Sequence, residues 1–464
     1  MKNWKFPLLA AVVFGALLAY VLWGGPAPTS EEEVEPPSEE IRMVDLSPED
    51  INLITVQWED LPDLAISAAE GEEESVFQLI SPFERATDQD RARLLFSSAS
   101  QLRASRIISE ETEDLSQYGL EDPSGAIILT LADGEEVTMH IGDTSPLNTD
   151  SDPDRYVRVD DEDIVYLVDG IRLAFFLTPP DKWRDPVVLR LDADEVQSIE
   201  VRSGSREWIA ARTDDPYGWQ LLSPLAAPAK SSVAEDILWR LGSLRVERFE
   251  MDNPTPEQLE EYGLDAPSMR ISFHKSSGAT STLLVGLFAD DQAAEVYAKV
   301  EGQPFVYVIS SGSLGGTGLG SAMEWVAATV FSPARFSQVT SLQWEIDGQR
   351  RRLVRGEDHW LMELPSGEQV EIPSEDAEPA IRALLRAEAH DLRKPDQPLG
   401  EYGLAPPRGR VEVNFTSEDD EVHTVGLDIG EAGETSHARV DGYDAVFLFD
   451  SDLNQLLEDL TGLQ

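Results

Sequence analysis

Strand-like alternation and helical periodicity succeed each other three times along this chain. A short apolar strand comes first, written Phe77-Gln-Leu79, Trp219-Gln-Leu221 and Trp360-Leu-Met362, each ahead of a proline at 82, 224 or 365. An amphipathic helix follows. Ala92, Leu95, Phe96, Ala99 and Leu102 share a face in the first copy, and Ile237, Leu241 and Leu244 in the second, after a capping-box pattern of Ser232 and Glu235. Ile381, Leu384 and Leu385 mark the third. The period then drops to two, in Ile127, Leu129 and Leu131, in Ile271 and Phe273, and in Val411, Val413 and Phe415. A strand ending at Gly142, Gly286 or Gly430 comes next, then two more strands. The pattern predicts an α+β fold of three tandem modules at 46–185, 186–332 and 333–464. Each reads as N-terminal strands, an amphipathic helix packed on an antiparallel β meander of about four strands, and a terminal helix.

One string recurs at the head of each meander: Leu115-Ser-Gln-Tyr118-Gly119-Leu120, Leu259-Glu-Glu-Tyr262-Gly263-Leu264 and Leu399-Gly-Glu-Tyr402-Gly403-Leu404. The tyrosines lie 144 and 140 residues apart, too far for a solenoid and right for an array of domains. Thr255, Pro256 and Gln258 read as N-cap, N1 and N3 of a short helix ending at Tyr262. Gly263 then falls at C′, where a left-handed backbone favours glycine, and Leu264 reaches back to Leu259. Tyr118, Gly119 and Leu120, with Tyr402, Gly403 and Leu404, repeat the offsets. The string is therefore expected to be a structural cap.

The first 45 residues follow another pattern. A tail at 1–5 precedes an uncharged run, Phe6–Trp23, which as a helix would span roughly 27 Å. Lys2 and Lys5 precede the run and Glu31, Glu32 and Glu33 follow it, so the positive-inside rule leaves the N-terminus in the cytoplasm. The competing reading is a cleaved signal peptide, disfavoured by the prolines at 26 and 28. The expectation is a single-pass anchor in a bacterial inner membrane with a periplasmic or extracytoplasmic body. Residues 24–45, rich in proline and glutamate, read as an extended spacer.

Charge narrows the partners. Against 36 Lys plus Arg stand 88 Asp plus Glu, for a net −52. Nucleic acid is excluded as a partner, since that affinity rests on cations neutralising phosphates. Such acidity suits a salty environment, where ions screen self-repulsion, and equally an acidic exported protein. No cysteine is present, which removes disulfides, thiol nucleophiles and thiolate metal sites.

Candidate chemistry is sparse. Six histidines form no zincin or zinc-site spacing, and neither a serine-hydrolase elbow nor a Walker loop occurs. Asn148, Asp150, Asp152 and Asp154 alternate as in a calcium loop, but Arg155 stands where an EF-hand needs glycine; an acidic hairpin tip is the plainer account. The glycines from Gly312 to Gly320 lie between a strand and a helix, yet without a lysine, and read as a flexible loop. Arg158, Lys299 and Arg439 share one strand slot, as cross-strand ion-pair members or as partner contacts. No catalytic residue, cofactor or small-molecule ligand emerges.

The tandem strings and their flanks resemble the bacterial family named domain of unknown function 4340. It pairs an N-terminal anchor with Trp-x-Leu-x-x-Pro, an amphipathic helix, Tyr-Gly-Leu-x-x-Pro and a strand ending at glycine. Phe77 replaces the tryptophan in the first copy, and the stretch from Tyr402 to Gly430 is lengthened in the third. The resemblance implies a membrane-tethered periplasmic protein working with an ABC-type, gliding-motility-like export system, its partner an inner-membrane complex with a transporter permease. It brings no catalytic residues. The expectation is a non-enzymatic accessory or scaffold. The alternative is a glycan- or polymer-binding module stacking sugars on Trp208, Trp219 or Trp360.

Overall fold

The computed structural model describes residues 41–463, apart from 60, 70, 72–74, 113, 147–151, 418, 431–434 and 451. They correct the expected α+β fold. The modules are mainly β, and each is a single nine-stranded antiparallel sheet. In module 1 the strands, in chain order, are Ile51–Trp58, Leu61–Ala69, Val76–Ser81, Arg85–Ala86, Arg106–Ser109, Gly125–Leu131, Glu136–Thr144, Arg155–Val159 and Val165–Val168. All three sheets share the spatial order fourth, third, second, first, sixth, seventh, eighth, ninth, fifth. The meander is thus only part of the sheet. The first strand pairs with the sixth (Ile54 with Leu129, Ile199 with Phe273, Leu342 with Val413), fusing the strands before the helix to those after it. In module 1 buried residues alternate along both partners, so one register satisfies both inner faces.

One helix of twelve residues joins the fourth strand to the fifth in each module: Gln89–Ser100, Ser231–Gly242 and Ser374–Leu385. In module 1 the Asp88 carboxylate accepts the Arg91 N–H at 3.1 Å and caps the helix. In module 2 the helix starts one residue ahead of the predicted box, and the Ser231 hydroxyl donates to the Tyr217 carbonyl at 2.6 Å. Leu95 and Phe96 lie in one buried cluster with Ile54, Val56 and Leu129.

No helix among the described residues is long and apolar enough to cross a membrane. That finding corrects both the transmembrane element of the expected fold and the single-pass inner-membrane placement. The run Phe6–Trp23 lies outside the described residues, as do the tail at 1–5 and residues 24–40. The spacer also reads differently at its end, where Ile41–Arg42 pairs with Arg103–Ala104 just after the module 1 helix.

The chain divides into two compact units, one ending at Asp185 and one beginning at Pro186. The second holds modules 2 and 3 around one continuous apolar cluster, from Val188 to Leu460. Tyr217 donates to the Val330 carbonyl, and Tyr443 of module 3 donates to the Asp215 carboxylate of module 2. Burial raises the pKa of both phenols, so both stay protonated donors.

Candidate functional site

Helix residues Leu95, Ile237 and Ile381 share buried clusters with the inward-facing residues of the strands, and the candidate sites lie on the opposite, outer face of each sheet. Part of that face is taken by the Tyr-Gly-Leu string. Gly119, Gly263 and Gly403 adopt φ of 65°, 69° and 69°. The following leucine N–H bonds to the leucine carbonyl five residues earlier, at 3.1, 2.8 and 2.9 Å. These are the bonds of a Schellman cap. The cap lies against a glycine near the end of the seventh strand, which runs on to Thr144 and Phe288 past the expected ends at Gly142 and Gly286 and stops at Ile429 before Gly430. A Cβ on Gly142, Gly286 or Gly430 would overlap the carbonyl oxygen of Tyr118, Tyr262 or Tyr402. In module 2 this seats Tyr262 and Leu264 on Leu284 and Val306, a small second core. Tyr118 meets Tyr156 at 5.0 Å and Tyr402 meets His437 at 5.2 Å.

Beyond the cap the outer faces differ. Strand register places Ala126, Arg270 and Arg410 at one slot of the sixth strand, opposite Gln57, Arg202 and Glu345 of the first. In module 3, Arg410 bonds Glu412 at 2.9 Å, Asp428 at 2.8 Å and Asp441 at 2.9 Å. These partners raise its pKa, so the guanidinium is charged at any working pH. In module 2, Arg270 bonds Glu301 at 2.6 Å, while Arg202 sits 2.8 Å from both Glu200 and Glu207. Module 1 has alanine at this slot, and a groove of about 770 Å³ opens there, lined by Gln57, Asp63, Ala126, Ile128, Thr138 and His140 among others. The module 3 groove holds about 230 Å³. At the upper end of the module 1 groove, Gly125 leaves room for the half-buried Trp58, over which Arg155 stacks at 4.8 Å. Burial, and next the charge of Arg158, lowers the His140 pKa and keeps the ring neutral.

Arg158, Lys299 and Arg439 all face outward beside this row but make different bonds. Arg439 pairs across the strands with Asp428 at 3.5 Å, and Arg158 reaches Asp161 of its own turn at 3.9 Å. Lys299 donates to the Gln303 carbonyl, and burial lowers its pKa.

The other candidates do not assemble. Asp150 lies outside the described residues. Asp154 accepts the Gly170 N–H at 3.3 Å, and Asp152 packs its carbonyl against Gly170. No group of metal-binding side chains occurs among the described residues. The glycine segment is a packed structure and not a flexible loop. The Gly318 carbonyl accepts from Trp325 Nε1 at 2.9 Å and Trp208 Nε1 at 3.2 Å, and the Gly318 N–H is taken by the Glu324 carboxylate. An amide already holding a carboxylate is not free to cradle phosphate. Trp208, Trp219 and Trp360 are buried, so none offers a stacking face. Among the described residues the widely exposed indole is Trp239, at 74%.

Sequence reasoning missed the arginine slot and the tryptophan pair Trp183 and Trp325. The signal for the first was one departure, Ala126, between otherwise matching copies. For the second it was the 142-residue interval between the two rings.

The family described as "Domain of unknown function (DUF4340)" matches residues 78–218 and 219–398. The chain belongs to this family. Both DUF4340 matches begin at a third strand and end beyond a sheet boundary, so the family's unit is offset from the folded module. No curated protein matches the chain. Among solved structures, the crystal structure of a DNA polymerase III subunit beta DnaN sliding clamp from Bartonella birtlesii LL-WM9 is similar at 7% identity, covering 89% of this chain and 94% of that one, with a TM-score of 0.16. A likeness that low carries no argument about fold or function.

Proposed function

We propose that this DUF4340 chain is a non-enzymatic binding scaffold whose modules present their outer sheet faces to a protein partner. The divergence of those faces over a common fold supports the reading: Arg410 and Arg270 fill in modules 3 and 2 what Ala126 leaves open in module 1. Repeated modules with unlike faces suit graded or multivalent contact. An export-type transport complex as the partner rests on the family resemblance alone. Photocrosslinkers at Gln57 and Gln343, introduced in cells that make the protein, test the scaffold. A discrete adduct at Gln57 that is absent at Gln343 is the expected result. Recovery of the protein alone from both positions would end the proposal.

A further inference from the structure

Modules 2 and 3 show what belongs on the outer face at the point where module 1 is open. In both, an arginine on the sixth strand reaches across the seventh, and its head meets an acid at the turn after the eighth strand: Arg270 with Glu301, Arg410 with Asp441. Module 1 keeps the acid. Asp160 occupies the same turn position, since its N–H bonds Thr138 as those of Glu301 and Asp441 bond Thr282 and Gly426. Only the arginine is missing. Taking the scaffold reading as its basis, we infer that the module 1 groove receives an arginine side chain from an extended basic segment of the partner.

The chemistry fits that occupant. Ala126 and Ile128 give the floor an apolar strip for the stem. The Asp160 Oδ1 accepts the Thr138 N–H at 2.7 Å, which fixes the carboxylate and leaves its other oxygen for a guanidinium. Among the described residues no cation stands on Asp160, because Arg158 turns to Asp161. A neighbouring arginine is no obstacle, as Arg439 sits beside the filled site of module 3. Asp63 and Asp143 at the groove's rim add attraction for a basic segment over a neutral one.

The test uses the full chain at about 150 mM salt, where diffuse attraction is screened beyond roughly 8 Å. The probe is the peptide acetyl-Gly-Thr-Arg-Thr-Gly-amide, with a citrulline peptide as its neutral twin, followed by NMR shifts and calorimetry. The wild type should bind the arginine peptide and discriminate against citrulline by about tenfold or more. Asp160→Asn, which suits the positive φ of that turn, should weaken binding by a similar factor. Ala126→Arg should abolish it without lowering Tm, by filling the site from within. Equal affinity for both peptides, unchanged affinity in Asp160→Asn, or no binding to the wild type would each overturn the inference. Peptide binding without a Gln57 adduct would sink the scaffold and keep the site; an adduct without peptide binding would do the reverse.

Discussion

At His140 the surroundings decide the charge. Burial and the Arg158 guanidinium act together to hold the imidazole below its usual 6.5, against the weaker pull of Asp160 and Asp161. The sign follows: between the lowered folded value and 6.5, the unfolded chain binds more protons than the folded one. The stability this residue contributes is therefore full above 6.5 and lost as pH falls through the folded value. An NMR titration should find the His140 midpoint below 6.5, and Arg158→Gln should move it upward; an unmoved midpoint would remove Arg158 as a cause. At Gly286 the constraint is space. A methyl there meets the Tyr262 carbonyl oxygen, a backbone atom that cannot swing aside. Gly286→Ala should cost about 1–3 kcal/mol, read as a lower Tm, because the cap must lift off the strand to admit it.

Sheet edges explain the paired tryptophans. After the ninth strand of modules 1 and 2 the chain returns to the fourth strand. The Asp88 N–H bonds the Trp183 carbonyl at 2.9 Å and the Lys230 N–H bonds the Trp325 carbonyl at 2.7 Å. Both indoles are buried. In module 3 the matching position is Pro373, which has no N–H to donate, and the edge strand Gln369–Pro373 also carries Glu371. Proline and charge keep an open edge from pairing with another chain. Trp325→Ala should destabilise the second unit by about 3–5 kcal/mol in chemical denaturation, through a large cavity and the loss of the bond to Gly318. A cost under 1 kcal/mol would mean the return segment is an ornament of the edge. The caps were legible in sequence because a Schellman turn needs specific residues at fixed offsets, leucine at 259 and 264 around Gly263. Which strands pair was not. The bond between first and sixth strands joins residues about 70 apart, such as Val201 and Ile271, and alternation in each strand says nothing about its partner. Ala126 illustrates the limit for the site, since a vacancy shows only when neighbouring strands are in register.

For the whole molecule, a charge of −52 acts on packing that is otherwise uniform. Modules 2 and 3 share one apolar cluster, and the Tyr443 hydroxyl on Asp215 spans them beside two backbone bonds, from the Ala445 N–H to Ala226 and from the Ala389 N–H to Ala328, so their association rests on burial with a few polar ties. Most exposed carboxylates have no cation to answer them, because 36 basic residues face 88 acidic ones. Folding gathers these charges into a smaller volume than the unfolded chain occupies, and their mutual repulsion opposes it. Ions shorten the reach of that repulsion to about 3 Å at 1 M, against about 10 Å at 0.1 M. The ion pairs that stabilise the fold, such as Arg410 with Asp428 at 2.8 Å, are in contact and keep more of their attraction under the same screening. Salt should therefore remove more repulsion than attraction, and Tm should climb steadily from about 0.1 to 1 M sodium chloride. Choline chloride at equal ionic strength should raise it as well, since the argument invokes screening and no bound ion. A Tm that falls with salt would mean the contact pairs outweigh the diffuse repulsion, and that the acidic surface does not oppose the fold.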